Sequence, residues 1–376
     1  MTNEQLKKTI MIDPKKDPQR RCRKVIEWPE QDNRAWKQAF VAGDVLDPGG
    51  PGAHWSPYTK NKIAKGYGRF LTWLDFEGRL DLDADPKDRL SPEYVADYVE
   101  HLQGLNASLT VLTRIEELTL AIKVMAPKYD RTYLKRLQSV LRAKVTPARD
   151  NRARVQHAGE LRGLGMSLID RARKSESTPL QKAIDYRDGL IILLLAYVPL
   201  RRKNFTALRY NDHFVQHGEE LWIDVPGECS KTRTKNGNPI DRPLPDELRD
   251  CLKEYVTVHR ALLLQQRGRW HKHPGDALWI SKDGSALTEI AFYFRIKKRT
   301  EAAFGYIVNP HLFRHSAATT IAIERPKQVK MASVILGNTP LTAARHYNLA
   351  NTIDAATRHQ DELAKLRRKC RFGKGD

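Results

Sequence analysis

The sequence predicts a mainly α-helical protein that carries a small antiparallel β-sheet and is divided into two domains by a linker. Over most of the 376 residues, apolar side chains recur three and four positions apart, as in amphipathic helices. Two short alternating segments enclose a turn sequence and predict a β-hairpin. The polar, proline-containing stretch 146–152 is the linker. We therefore predict a basic N-terminal arm over 1–52, a helical domain over 53–148, a second domain over 149–352 and a basic C-terminal helix and tail over 353–376.

The charge of the chain indicates a polyanionic partner. Lys and Arg number 65 against 45 Asp and Glu, so the formal net charge is +20 and the pI is near 9.8. Most of the excess lies in residues 1–24, with eight basic and three acidic residues, in 131–154, with eight and one, and in 363–376, with six and one. One such cluster is usually a solvated face, but three at the ends and hinge of a chain favour arms around double-stranded DNA.

Composition also predicts a cytoplasmic protein without a membrane association. No signal peptide is recognisable at the start, and the longest apolar run, 190–200, is too short to span a bilayer. The cysteines are widely separated and form no CxxC or CxxH pair, which favours reduced thiols. They are Cys22, Cys229, Cys251 and Cys370.

Helix-start signals organise the N-terminal half. A short helix is expected around 34–42, followed by a joint rich in glycine and proline. Ser56-Pro57 and Ser91-Pro92 each combine an N-cap residue with a first-turn proline, so each should begin a helix. Two more helices are predicted at 109–126 and 131–144, which completes a compact helical domain.

The last of these helices is dense in basic side chains, among them Arg136, Arg142 and Lys144. We interpret its exposed face as one that contacts DNA. The alternative is a generic helical bundle, which this part of the sequence does not exclude.

The second domain is predicted to contain a buried helix within 179–198, because residues 190–195 make it apolar nearly all round there. A strand at 221–225 and a second one that includes Arg242-Pro243 form the hairpin, and a third strand is predicted at 277–281. A helix at 288–303 follows. Its apolar residues are Phe292, Phe294 and Ile296.

Three cations, Arg201, Arg202 and Lys203, come directly after the most buried helix. Leu200 and Phe205 should hold this segment against the core, so Arg201 would project from a rigid scaffold. The alternative for such a run is a solvated corner.

The tip of the hairpin carries Lys231 and Lys235 beside an Asn-Gly turn. A lysine amine on a flexible stem can reach a leaving oxygen and, unlike a guanidinium, can give up its proton. We prefer Lys231 for that role, with Lys235 as the alternative.

His311 and Arg314 lie three residues apart just after Pro310, which suits the first turn of a helix. Residues at this spacing share a helix face, and a helix N-terminus attracts anions. The pair is therefore suited to binding a phosphate. An ordinary polar helix start is the alternative.

Tyr347 is the phenol close in sequence to these cations, and together the groups predict phosphoryl transfer. Two arginines can clamp the oxygens of a phosphodiester, a phenol beside positive charge and a base can attack it, and a lysine can protonate the departing sugar oxygen. We expect no metal and no other cofactor, because no acidic cluster has metal-ligand spacing and His271 and His273 have no further ligands nearby.

With these residues in place, the chain resembles the tyrosine recombinase family of the phage integrase type. Four motifs of that family have matches here in the family's order, over about residues 160–350. They are Leu200-Arg201 leading to Leu208 and Asp212, Lys231 within Ser-Lys-Thr, the box formed by His311, Arg314 and His315, and Leu336-Gly337-Asn338 with Tyr347 nine residues later.

The resemblance implies a catalytic domain preceded by a SAM-like core-binding domain, the two forming a C-shaped clamp on DNA. It implies a site-specific recombinase or integrase of a mobile element, in which Tyr347 forms a 3′-phosphotyrosyl link and the freed 5′ hydroxyl attacks a partner strand. It further implies a homotetramer on two DNA sites, with 353–368 as the candidate for a helix passed to a neighbour. Finally, it implies accessory DNA-bending proteins and a location in the nucleoid.

The site residues that we expect divide into two groups. The catalytic candidates are Tyr347, Arg201, Arg314, His311, Lys231 and Asn338. The DNA-binding candidates are Arg202, Lys203, Lys235, His315, Arg136, Arg142 and Lys144.

Two positions depart from the family's pattern. Asn338 stands where the family usually has histidine or tryptophan, and Asn204 stands where an acidic residue often supports the first arginine. Arg202 is the alternative to Arg201 if the register differs by one residue. These departures motivate a competing hypothesis, a DNA-binding protein of the same fold with weakened or lost strand exchange. A third hypothesis is an enzyme that relaxes a single duplex.

Overall fold

The described part of the protein is mainly helical and contains a three-stranded antiparallel sheet, which confirms the predicted fold class. The chain divides into two compact units, Met1–Asp150 and Asn151–Asp376. The computed structural model describes residues 17–146, 154–226, 239–270 and 273–324, together with Leu363. Within these residues, no helix has both the length and the apolar character needed to cross a membrane.

Capped helices build the first unit. The Ser56 hydroxyl accepts a hydrogen bond from the Thr59 amide at 3.1 Å, and the Ser91 hydroxyl accepts one from the Tyr94 amide at 3.0 Å. Both predicted helix starts are therefore confirmed. The helices are α1 (Glu30–Gln38), α2 (Pro57–Phe76), α3 (Pro92–Leu105), α4 (Ser108–Met125) and α5 (Thr132–Ala143).

The segment before α2 packs against the helical core. Helix α1 begins earlier than the helix predicted at 34–42, which was placed too late. Trp28 and Trp36 are both buried, and the Trp28 ring lies 5.0 Å from that of Tyr67 in α2. The fully buried Asp32 pairs with Arg89 at 2.9 Å. The N-terminal segment was predicted as an arm, but burial of its aromatic rings holds this part of it against the helical core.

The second unit is organised around helix α7, which is buried along its apolar length as predicted and packs closely against α6. Glycines permit this approach, since a methyl group at Gly165 would lie 2.8 Å from the backbone nitrogen of Leu193. The helices are α6 (Ala158–Lys174), α7 (Pro179–Tyr197), α8 (Arg202–Thr206), α9 (Tyr210–His213), α10 (Asp246–Glu254), α11 (Arg260–Gln265), α12 (Glu289–Phe304) and α13 (Pro310–Glu324).

The sheet runs in the order β1 (Phe214–His217), β2 (Glu220–Val225) and β3 (Ile240–Pro243), and all neighbours are antiparallel. The β2–β3 pair confirms the predicted hairpin. Strand β1 was missed from the sequence, because it is short and only its first residue is buried.

The prediction of a third strand at 277–281 is wrong. This stretch makes only isolated bridges, of which one joins Ile280 to Ala286. Leu278, Trp279 and Ile280 are all buried, so the apolar run reflects an extended segment enclosed by the core and not a sheet strand. The Trp279 indole donates a hydrogen bond to the Phe205 carbonyl at 2.9 Å, which fixes helix α8 against this segment.

Candidate active site

Arg201 stands at the start of α8, between two buried elements. Leu200 before it and Phe205 after it are buried, and Phe205 stacks on Trp279 with ring centroids 5.2 Å apart. Arg201 itself is half-buried and caps the short helix. The expectation that it projects from the edge of a rigid core agrees with this position.

Helix α13 begins where the sequence predicted, with Pro310 as its first residue. The Asn309 side-chain oxygen accepts hydrogen bonds from the amides of His311 at 3.0 Å and Leu312 at 3.3 Å, so Asn309 caps the helix. One turn along, Arg314 is buried, with 6% of its surface exposed, whereas His311 is exposed.

These two segments meet in a cleft of about 200 Å³. It brings together cations that are more than a hundred residues apart in sequence. The lining residues are Leu200, Arg201, Arg202, Tyr293, Asn309, Pro310, His311 and Arg314.

Arg314 is held at the base of this arrangement. Its Nη1 donates a hydrogen bond to the Pro199 carbonyl oxygen at 2.6 Å, which ties α13 to the segment leading into Arg201. Burial and the positive charge of Arg201 lower the pKa of Arg314 to about 10. Arg314 remains charged at neutral pH, and a bound anion would reduce its repulsion with Arg201. The cleft is therefore suited to a phosphate.

The structure distinguishes Arg201 from Arg202, the two arginines that the sequence left as alternatives. The charge of Arg201 acts on Arg314, whereas Arg202 pairs with Glu289, its Nε lying 3.0 Å from the Glu289 Oε2. This difference supports Arg201 as the partner of Arg314. Lys203 and Asn204 follow on α8, the first exposed and the second half-buried.

The two histidines of α13 are neighbours. The ring of the half-buried His315 lies 4.8 Å from that of His311, with the planes at 81°. An imidazole can accept or donate a proton through its two ring nitrogens. His315 packs against the His311 ring from the side.

The basic residues predicted on α5 are exposed in the first unit. Leu134 and Leu141 form the buried side of this helix, so Arg136, Arg142 and Lys144 lie on its solvent side. Arg142 pairs with Glu116 at 2.6 Å. An exposed pair of this kind is weak, so it leaves the arginine available to another anion.

Several predicted site residues lie outside the described part of the chain. They are Lys231, Lys235, Asn338 and Tyr347. The same holds for the C-terminal helix at 353–368 except Leu363, and for His271, whereas His273 is exposed.

Sequence reasoning missed two residues of α12 at this site, Tyr293 and Glu289. Phe292 and Ile296 point into the core, four residues apart, which places Tyr293 on the adjoining face. Phe294, the third apolar residue noted in this helix, is 58% exposed and therefore lies outside the buried face. The spacing of Phe292 and Ile296 alone would have indicated the correct face.

Comparison with known proteins supports one family. The Phage integrase family model matches residues 167–352. A tyrosine recombinase XerC from Pseudomonas syringae pv. tomato is 26% identical over 184 residues, which are 49% of this chain and 55% of that protein. A tyrosine recombinase XerC from a Roseiflexus species is 25% identical over 170 residues, 45% of this chain and 50% of that protein. The chain thus spans about half the length of these curated relatives.

Solved structures support the same fold. The crystal structure of an XerH site-specific recombinase bound to its difH substrate, a pre-cleavage complex, matches with a TM-score of 0.53 and 16% identity. That match covers 80% of this chain and 79% of the other. A post-cleavage complex of XerH with palindromic difH matches with a TM-score of 0.52 and 18% identity, over 83% and 80% of the two chains.

Proposed function

Because the chain belongs to the phage integrase family of tyrosine recombinases, we propose that it is a site-specific DNA recombinase that cuts and rejoins duplex DNA through a 3′-phosphotyrosyl intermediate. The observation that carries this proposal is the cleft in which Arg201, His311 and Arg314 meet. Two guanidinium groups and a histidine, held by rigid elements, suit the charge that develops on a phosphodiester under attack.

The proposed first step transfers the DNA phosphate to the protein. The Tyr347 oxygen attacks the phosphorus, the bond to the 5′ oxygen of the next nucleotide breaks, and a phosphotyrosyl bond forms. His311 accepts the phenol proton, and Lys231, or Lys235 in its place, protonates the departing oxygen. The non-bridging oxygens are bound by Arg201, Arg314 and the amide of Asn338.

The second step is the reverse reaction with a different strand. A 5′ hydroxyl of the partner duplex gives its proton to Lys231, or Lys235 in its place, and attacks the phosphorus. The bond between the phosphorus and the Tyr347 oxygen breaks, His311 returns a proton to the phenol, and the DNA backbone is rejoined. No net oxidation or hydrolysis occurs, so the bond energy of the original phosphodiester is kept in the intermediate.

The proposal extends to the assembly and its setting. We propose a homotetramer on two DNA sites, assisted by accessory DNA-bending proteins, that recombines DNA of a mobile element in the cytoplasm. We further propose that the chemistry needs no metal ion, because the arginines supply the positive charge that a metal would otherwise provide.

Substitution of two tyrosines tests the chemistry. The target site is first obtained by sequencing the genomic DNA fragments that the full-length protein retains, and a nicked suicide duplex is made from it. With EDTA present, the unaltered protein and Tyr293→Phe should form a covalent protein–DNA adduct on a denaturing gel. Tyr347→Phe should form none but should still bind the duplex. Tyr293 is the matched control because this tyrosine also lines the cleft.

Three results would contradict the proposal. An adduct that persists in Tyr347→Phe would show that another group attacks the DNA. An adduct absent only from Tyr293→Phe would move the nucleophile to α12. Sequence-specific DNA retention without any adduct from the unaltered protein would favour a binding protein without strand exchange.

A further inference from the structure

Arg202 is held on two sides at the edge of the cleft. Its Nε donates to the Glu289 Oε2 at 3.0 Å, and its guanidinium carbon lies 5.8 Å from the ring centroid of Tyr293. Glu289 is the first residue of α12, whose cap is the Thr288 hydroxyl, which accepts from the Ala291 amide at 3.2 Å. The carboxylate therefore extends from a fixed helix end.

The terminal nitrogens of Arg202 are not used by these contacts. Within the described residues, neither of its Nη atoms has a hydrogen-bond partner, while the side chain lines the cleft. A guanidinium bound at Nε still offers the paired Nη donors that match two oxygens of a phosphate.

The Arg202–Glu289 pair contributes little to folding. The side chains are 47% and 40% exposed, and exposed pairs of this kind add little to folding stability. The contact nevertheless fixes the direction of the Arg202 guanidinium beside the cleft. A role in orienting Arg202 toward a ligand therefore explains the pair better than a role in folding does.

Local charge also favours a phosphate ligand here. The Lys297 ammonium lies 5.5 Å from the Tyr293 ring centroid, on the same ring that Arg202 approaches. Two cations thus approach the Tyr293 ring while one carboxylate pairs with Arg202, which leaves a net positive charge next to the cleft.

We propose that Glu289, together with the Tyr293 ring, is a positioning residue that holds Arg202 as the ligand of a second DNA phosphate, beside the phosphate bound by Arg201 and Arg314. This inference rests on the proposed function, because it takes the same DNA strand as the ligand. It adds a separate phosphate subsite where α8 meets α12, which the reacting groups do not provide.

DNA binding by the full-length chain tests the proposal. All variants are made in the Tyr347→Phe protein, so that binding is measured without cleavage, on the retained duplex at several salt concentrations. Arg202→Ala should weaken binding about tenfold and reduce the dependence of log affinity on log salt by about one. Glu289→Ala should weaken binding about threefold, because the guanidinium is no longer directed.

Two further variants separate positioning from a structural effect. Glu289→Gln should bind like the parent protein, because its amide oxygen can still accept from the Arg202 Nε. The double variant Arg202→Ala/Glu289→Ala should bind like Arg202→Ala alone, because Glu289 acts through Arg202. Glu301→Ala is the matched control, since it removes an exposed carboxylate from the same helix and should not weaken binding.

The proposal would be overturned if Glu289→Gln were as weak as Glu289→Ala, or if Glu289→Ala weakened binding further in the Arg202→Ala protein. Tighter binding by Glu289→Ala would also overturn it, because the carboxylate would then compete with DNA. These results are independent of adduct formation by the protein with Tyr347, so failure of the subsite and failure of the proposed strand cleavage are distinguishable.

Discussion

At the scale of single residues, Arg314 has the most constrained environment in the cleft. It is buried, bonded to the Pro199 carbonyl and close to the charge of Arg201, and these surroundings lower its pKa to about 10. A buried cation facing another cation is unfavourable in the free protein. A phosphate between the two arginines relieves that repulsion, so the burial of Arg314 favours the bound state.

The pKa of Arg314 predicts how DNA binding depends on pH. The charged form binds phosphate, so affinity of the Tyr347→Phe protein should fall as pH rises through about 10. Arg314→Lys should lose affinity at a pH about two units lower, because the ordinary lysine pKa is about two units below that of arginine. Fluorescence anisotropy of a labelled duplex between pH 7 and 11 measures both curves.

The other lysines titrate in both the Arg314 protein and the Arg314→Lys variant, so their effect on affinity cancels when the two pH curves are compared. If the affinity of both proteins fell over the same alkaline pH range, the assignment of Arg314 as a phosphate ligand would be contradicted.

The titration of Arg314 affects folding stability in the opposite direction. A base with a lowered pKa in the folded state destabilises the protein below that pKa, and the penalty is relieved as pH rises above it.

At the scale of elements, a buried ion cluster joins α7 to α12. The fully buried Asp188 carboxylate accepts hydrogen bonds from Arg187 at 2.8 Å, from Arg295 at 2.9 Å and from Arg299 at 2.8 Å. Burial raises the pKa of Asp188, but the charges of these arginines outweigh it and hold the pKa below the ordinary value. The cluster fixes α12, and with it Tyr293, relative to the helix that leads to Arg201.

Asp188→Asn should destabilise the second unit by about 3 kcal/mol or more, because it leaves buried guanidinium groups without their carboxylate. Chemical denaturation at pH 7, followed by circular dichroism, measures this loss. Asp170→Asn is the control, since Asp170 forms an exposed pair with Arg173 and its removal should cost about 1 kcal/mol or less.

The pH dependence gives an independent check on the same cluster. Because the folded pKa of Asp188 is lowered, its contribution is present above the ordinary carboxyl pKa and is lost as pH falls through the folded value. The difference in free energy of unfolding between the Asp188→Asn and unaltered proteins should therefore shrink below pH 3.8. Equal stability of the two proteins at pH 7 would contradict the role of the cluster.

At the scale of the whole molecule, the net charge of +20 would govern the proposed association with DNA. Each phosphate that a basic side chain neutralises releases condensed counterions, so affinity falls as salt rises. The exposed basic face of α5 and the cations of the cleft belong to different units, and under the proposed function each would add phosphate contacts of its own.

Salt dependence tests this expectation. For about six to ten phosphate contacts, affinity should fall about 10³-fold or more between 50 and 200 mM salt. Substitution of Arg136, Arg142 and Lys144 by alanine should reduce the slope of log affinity against log salt, by about one for each phosphate that these side chains neutralise. An unchanged slope in the triple variant would exclude the α5 face from the DNA interface.

Local signals in the sequence were sufficient for much of the fold and part of the site. The starts of α2, α3 and α13 were predicted correctly, because an N-cap side chain and a first-turn proline act within one helical turn. The β2–β3 hairpin was predicted because alternation and a turn sequence are also local. The order of Arg201, His311 and Arg314 along the chain indicated a phosphate site by residue type alone.

Only the tertiary structure decided the remaining features. Whether 277–281 forms a strand depended on what surrounds it, since an enclosed extended segment and a sheet strand show the same apolar pattern. The bond from Arg314 to the Pro199 carbonyl, the lowered pKa of Arg314 and the placement of Glu289 beside Arg202 join residues far apart in sequence. Such contacts arise from packing between elements, so the sequence periodicity within one element does not predict them.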